Sequence, residues 1–494
     1  MMRFGTMFSI GLLWTLGTTG FASDLPAHPR EIQFPELRFD APEPGQHRHV
    51  LSNGVVVYLA RTMELPLINF QLRFQGAGYL DPVGKEGLTA AMASMLRRGG
   101  TLTVTAQAMD ERFDFLAAEA GVRAAQFSVG ASLNTIAQNL DDSFALFMDM
   151  LRNPGFQKDR FDIYRDEVIE SMKQRNDDAD SIIDREWDAL LYGREHFEGR
   201  VTTQKSLQAI TVDDLRAMHA RVVQPGGLIV GVTGAFEPAA MLERLERAFA
   251  GWTVQPRVPD PPAPEKVLEA GVYHVEKDIP QGKVYIGHRS VKLDDPDQLE
   301  LAVMDRILGA GGFTSRIMRK VRSDEGLAYT AGARTNPGEY YPGQFRALFQ
   351  SKSSTVALAT KLILGEMERI RTEPVSTEEL ETAKNSMVEA FPSIFGSKAQ
   401  TVDRFITEEA RGRSWDYWRT FRDRVRAIDV ADIQRVAAEH LHPDKVAIMV
   451  VGKWEDIGPG DIDGRARMAE FFGGKVTHLP LRDPLTQEPI RDVN

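Results

Sequence analysis

The chain has 494 residues, 43% hydrophobic and 26% charged, with a formal net charge of −11 and no cysteine. That length supports two or more hydrophobic cores, and the mix of apolar and charged residues excludes a disordered chain. Acidity without a basic run excludes nucleic acid as a partner, and the missing cysteines exclude both a disulfide framework and a lipoprotein anchor.

The N-terminus reads Met1-Met2-Arg3, then an apolar stretch from Met7 to Phe21, then Gly20-Phe21-Ala22 before the polar Ser23-Asp24. A basic start, a short apolar region and a small-x-small site describe a cleaved secretory signal over 1–22. A span of about 15 residues at about 1.5 Å each falls short of a hydrocarbon core of about 30 Å, so this stretch is not expected to anchor the protein. No later apolar run reaches spanning length, and the mature chain is expected to be soluble and periplasmic, with residues 23–46 as an extension.

Farther along, strands are expected at 55–59 and 284–287, and helices near 88–98, 135–152, 158–175, 297–308 and 353–371. Five prolines between Pro256 and Pro264 favour extended chain over helix or sheet and mark a linker, placed at 254–267. Ile210 to Gly234 (ITVDDLRAMHARVVQPGGLIVGVTG) aligns without a gap at an offset of 218 with Ile428 to Gly452 (IDVADIQRVAAEHLHPDKVAIMVVG). In both, Thr211 or Asp429 can cap a helix that stops before Pro225 or Pro443, and an apolar strand then runs into Gly234 or Gly452. The pattern implies a duplicated α+β unit, with halves at 47–253 and 268–455 and a tail at 456–494. In that tail, Gly458-Pro459-Gly460 and Pro480 suggest loops.

Phe74 to Thr101 (FQGAGYLDPVGKEGLTAAMASMLRRGGT) resembles the strand, glycine-rich turn and helix that open the insulinase, pitrilysin and mitochondrial-processing-peptidase family. In active members that helix carries H-x-x-E-H, two zinc ligands and a general base. The matching positions here are Ala90, Ala93 and Ser94, and neither alanine can ligate a metal or accept a proton. Glu170 falls where the family's third ligand is expected, but a lone carboxylate does not hold zinc. His47 and His49, like His440 and His442, are spaced i, i+2 and point apart on a helix or a strand, so no substitute metal site is expected. Residues 192–199 (YGREHFEG) are a looser match, with Phe197 where the family has proline.

Leu308 to Tyr329 (LGAGGFTSRIMRKVRSDEGLAY) resembles the family's glycine-flanked helix and its R-x6-Y pair, here Arg322 and Tyr329, with Gly309, Gly311 and Gly312 in the substrate loop. The bland alternative pairs Arg322 with Asp324 or Glu325 and packs Tyr329 in a strand. Without Gly-Lys-Ser/Thr after them, the glycines do not describe a phosphate cradle. The resemblance spans residues 45–455. It implies two αβ sandwich halves closing around an extended peptide, no cofactor in this chain, and a zinc-bearing paralogous partner that hydrolyses peptides. Arg322 and Tyr329 would then stabilise substrate and transition state in a heterodimer. The alternative is a peptide-binding or scaffolding protein with no part in hydrolysis. The export signal and acidic character disfavour a core subunit of a respiratory complex.

Overall fold

The computed structural model describes residues 38–252, 254 and 256–490, with 28 and 32. The segment read as a leader, 1–22, and most of the 23–46 extension lie outside the described residues. Every element below belongs to the unit formed by residues 40–494.

Strands β1 (Arg48–Val50), β2 (Val56–Arg61), β3 (Leu67–Gln75), β4 (Glu119–Ala124), β5 (Ser128–Ile136) and β6 (Ile229–Gly234) form a mixed sheet in the order β1-β2-β6-β3-β5-β4. Strands β7 (Gly271–Glu276), β8 (Gln281–Arg289), β9 (Ala328–Asn336), β10 (Gln344–Lys352), β11 (Ala447–Gly452) and β12 (Val476–Leu479) form the second, in the order β12-β7-β11-β8-β10-β9. Five places correspond in order and sense, with β2 parallel to β6 as β7 is to β11, and antiparallel pairing elsewhere. The sixth differs: β1 runs antiparallel to β2, whereas β12, drawn from the tail, runs parallel to β7.

The offset of 218 recurs residue for residue. Helices Val212–Val222 and Val430–His440 begin after capping boxes built on Thr211 with Asp214 and on Asp429 with Asp432, and β6 and β11 follow. Each cap satisfies main-chain donors that a helix end leaves orphaned. Two expectations shift. The helix expected from 135 starts at Leu140, because β5 extends to Ile136. The helix expected at 297–308 is α-helical only over Gln298–Asp305 and widens to a π-helix over Arg306–Ala310. In the tail, 458–460 and Pro480 lie outside helix and strand, and β12 adds a strand to the second sheet. Residues 256–270 carry neither helix nor strand, and the Tyr79 hydroxyl donates to the Pro259 carbonyl at 3.0 Å.

Alternation along β3 sends Ile68, Phe70, Leu72 and Phe74 to the core face, where helices Leu88–Arg98, Leu140–Arg152, Val212–Val222 and Pro238–Phe249 close over them. Asn69, Gln71 and Arg73 take the opposite face. That inner face is covered by a helix from the other half: Val402, Phe405 and Ile406 of Lys398–Arg411 pack on Tyr58, Ala60 and Ile229. The exchange is reciprocal, because Ile182, Ile183, Trp187 and Leu191 of Ala179–Tyr192 pack on Val275, Tyr285, Met449 and Val451 of the second sheet. Gly231 allows the close approach on the first sheet, where a Cβ would stand 2.5 Å from Val402 Cγ1.

Trp187 is fully buried at the second crossing, its indole donating to Gln344 Oε1 at 2.7 Å and its ring edge-on to Tyr285. Trp187→Ala is expected to cost about 3–5 kcal/mol, read as a lower denaturant midpoint. Because each half covers the other's sheet, unfolding should remain a single transition, and separate melting of the halves would contradict the coupling.

Asp305 closes the helix Gln298–Asp305 in full burial, accepting from the Thr335 amide at 2.7 Å and its hydroxyl at 3.2 Å, and burial pushes its carboxyl up to about 7. The folded chain therefore keeps a proton that the unfolded chain, with an ordinary value of 3.8, releases. Stability should fall as pH rises from about 4 to about 7. Asp305→Asn should flatten that slope in unfolding experiments across the range.

Candidate functional site

The helix Leu88–Arg98 starts behind Gly87, whose φ of +99° suits glycine, and Asp81 caps it by accepting from the Gly87 and Thr89 amides at 3.0 and 2.9 Å. Burial raises the Asp81 carboxyl, against those hydrogen bonds. Ala90 is exposed, Ser94 half-buried one turn on, and Ala93 buried in the core. A methyl, a methyl and one hydroxyl do not fit a zinc ion, which takes imidazole, thiolate or carboxylate donors. Glu170 supplies none to this place: it is exposed on Lys158–Met172 and pairs with Lys173 of its own helix. On the neighbouring turn Arg98 forks onto Glu167 at 2.8 and 3.0 Å, and Arg97 Nε reaches the Ala120 carbonyl of edge strand β4 at 3.2 Å.

The histidines are engaged elsewhere. His219, half-buried, and His274, buried, are each bonded to a main-chain carbonyl, and desolvation lowers both imidazoles. His47 bonds the Leu59 carbonyl at 2.7 Å. His288 is lowered to about 4 by burial and accepts from the His442 amide at 3.2 Å. His440 approaches Asp295 and Asp297 closely enough to suggest a cation cluster. Asp297 is already spent: Arg435 holds both its oxygens at 2.8 and 3.0 Å and His440 lies at 2.8 Å.

The second half builds a different site. Gly309 sits in the π-helix Arg306–Ala310 against β9, where a Cβ would come 2.2 Å from the Ala333 amide nitrogen. Gly311 is equally tight, with a Cβ 2.3 Å from the Arg306 carbonyl, while Gly312 has open space but a φ of +62°. These glycines press the turn onto the sheet and then reverse it, which presents Phe313 to solvent, 67% exposed. Ser315 donates to the Gly312 carbonyl at 2.7 Å. Arg316, itself buried, forks onto Glu379 at 2.7 and 2.9 Å and holds that carboxyl down at about 2. A second π-helix, Arg319–Asp324, carries Arg322, and β9 starts with Ala328 and Tyr329.

Arg322 and Tyr329 meet: the guanidinium carbon lies 4.5 Å from the Tyr329 ring centroid and 4.7 Å from that of Phe313. Tyr329 is 80% exposed, so the packed-strand alternative does not describe it. Nor does Arg322 pair with Asp324 or Glu325. Lys320 is 4.0 Å from Asp324, and Arg465 forks onto Glu325 at 2.7 and 2.8 Å. Phe313 and Arg465 were not legible as site residues, because a phenylalanine after a glycine turn reads as core and a lone tail arginine reads as solvated surface. The site at Arg322 and the helix positions 90, 93 and 94 lie in different halves, and among the described residues no hydrogen bond, ion pair or ring contact joins them.

A groove of about 690 Å³ runs along the inner face of the first sheet, between β3, β5, edge strand β4 and residues Asp403, Ile406 and Thr407. Its wall is polar, with Asn69, Gln71, Arg73, Arg123, Ser132 and Asn134. Gln71 Oε1 is buried and accepts no hydrogen bond among the described residues. Glu339 of the second half ties this floor together, 3.9 Å from Arg73 and 3.4 Å from Arg411.

Comparison with known proteins gives a consistent result. Residues 209–387 match the family profile described as the peptidase M16 inactive domain. The non-peptidase homolog YmxG of Helicobacter pylori is 25% identical over 352 residues, 70% of this chain and 80% of that protein. An uncharacterized zinc protease of Mycobacterium leprae is 25% identical over 295 residues, 55% of this chain and 65% of that protein. In fold, the chain is similar to a peptidase M16 inactive domain from Pseudomonas fluorescens, with a TM-score of 0.74 and 22% identity over 82% of this chain and 97% of that one. A protease from Helicobacter pylori gives 0.73 and 18% over 84% and 100%. With its two six-stranded sheets the chain has the fold of these M16 proteins, its residues 209–387 match their inactive domain, and the helix Leu88–Arg98 carries no zinc-ligand set at 90, 93 and 94.

Proposed function

We propose that this chain is the zinc-free subunit of a heterodimeric periplasmic peptidase. It supplies Arg322, Tyr329 and half of a peptide chamber to a paralogous partner that bears the zinc. One observation carries the reading: the first half has no donor set at 90, 93 and 94, while the second presents a guanidinium and a phenol together on an exposed face. Hydrolysis at a metal held by the partner builds negative charge on the peptide oxygen, and two preorganised donors can stabilise it. In this chain Arg322 and Tyr329 bind and orient the carbonyl, and no step runs through a metal of its own. The groove along β4 offers an unpaired strand edge, to which an extended peptide can add by main-chain hydrogen bonds. Export through the 1–22 segment would place the complex in the periplasm. Among the described residues no helix is long and apolar enough to cross a membrane.

The same groove favours a second reading, a peptide-binding protein that takes no part in hydrolysis, because its polar wall and free edge need no metal. Assaying an internally quenched peptide with this chain, with a zinc-bearing paralogue from the same source, and with both together separates the two. The first reading expects activity only in the mixture, abolished by chelator, and no stoichiometric zinc in the purified chain by elemental analysis. Activity and bound zinc in the chain alone would overturn it. A mixture no faster than the paralogue by itself would favour the second reading. In the active mixture, Arg322→Ala and Tyr329→Phe should each lower kcat/KM by about 10- to 1000-fold. N-terminal sequencing of the exported protein should begin at Ser23.

A further inference from the structure

Among the described residues Arg322 is held by rings rather than by a counter-ion. Its guanidinium lies 4.7 Å from the Phe313 centroid and 4.5 Å from the Tyr329 centroid, both within cation–π range. Stacking engages the faces of the planar group and leaves its N–H edge available for hydrogen bonds. Two acids nearby could spoil this. Glu325 is one residue beyond Asp324 on the same turn, yet Arg465 from the tail takes both its oxygens and draws its carboxyl below the usual range. Lys320 lies 4.0 Å from Asp324 and 3.9 Å from Glu325, a looser approach than the Arg465 fork. Among the described residues Arg322 makes no ion pair.

We propose that Phe313 is a positioning residue for the Arg322–Tyr329 site, and that Arg465 acts with it by keeping Glu325 from capturing the guanidinium. The proposal rests on Arg322 and Tyr329 as the groups that contact substrate. Phe313 fixes the plane of the guanidinium, so that its edge meets the planar oxygens of an extended peptide, a main-chain carbonyl or a carboxylate. Gly312 sets the ring's place, since its left-handed backbone is what turns residue 313 back over Arg322. Phe313 is 67% exposed, so removing its ring leaves the fold intact.

Two measurements on the full chain test this. In NMR, the δ-methylene protons of Arg322 should be shifted upfield by the two rings. Phe313→Ala should remove a large part of the shift and Phe313→Tyr should keep it. With the zinc-bearing partner and an internally quenched peptide of casein sequence, Phe313→Ala should lower kcat/KM about three- to tenfold, mainly through KM, and Phe313→Tyr should restore it. Arg465→Ala should lower kcat/KM to a similar extent, and adding Glu325→Gln should recover it. The proposal is overturned if Phe313→Ala removes the shift without changing kcat/KM, or if Arg465→Ala and the double variant behave alike. If the mixture has no activity, the underlying functional reading fails and the positioning role fails with it. The NMR shift then still reports whether the ring contact exists.

Discussion

Everything in this molecule is organised around a reciprocal loan of helices. Lys398–Arg411 lies on the first sheet and Ala179–Tyr192 on the second, and each buries apolar side chains that its own half could not cover. Separating the halves would return Tyr58, Ile229, Trp187 and Met449 to water at once, and burial of that apolar surface is the main term favouring association. The same arrangement explains why a groove exists. One helix spans only the β2 and β6 side of the first inner face, so the strip along β3, β5 and β4 stays open. That strip is polar because alternation leaves Asn69, Gln71 and Arg73 there.

Chemistry has been divided unevenly between two halves of one design. Where the first half could have held a metal, it has small side chains, and the nearest acids on the adjoining helix are committed to Arg98 and Lys173. The corresponding face of the second half is crowded with paired charge. Arg316 with Glu379 anchors the base of the glycine turn, and Arg465 with Glu325 borders Arg322. The result is a cation, Arg322, presented between two aromatic rings in a protein of net charge −11.

The duplication was readable because local signals agreed: a capping acid, a helix of fixed length, a proline and an apolar strand recurred at one spacing, and each is set by residues adjacent in sequence. The helix Leu88–Arg98 was readable for the same reason, since its apolar spacing is set by neighbouring residues. What could not be read depends on distant residues. Nothing near Trp187 says that it packs on a sheet about a hundred residues later, and nothing near Phe313 says that a guanidinium nine positions on will stack against it. The π-helix after Asp305 likewise meets a distant strand, since a Cβ on Gly309 would come 2.2 Å from the Ala333 amide nitrogen.

The origin of the second sheet's outermost strand has a consequence for biosynthesis. Since β12 (Val476–Leu479) lies far along the chain from β7 (Gly271–Glu276), the outer hydrogen-bonding edge of β7 stays bare until Leu479 has left the ribosome. A nascent product, or one truncated before β12, therefore carries an open strand that can zip onto another copy, a hazard removed only once β12 has docked.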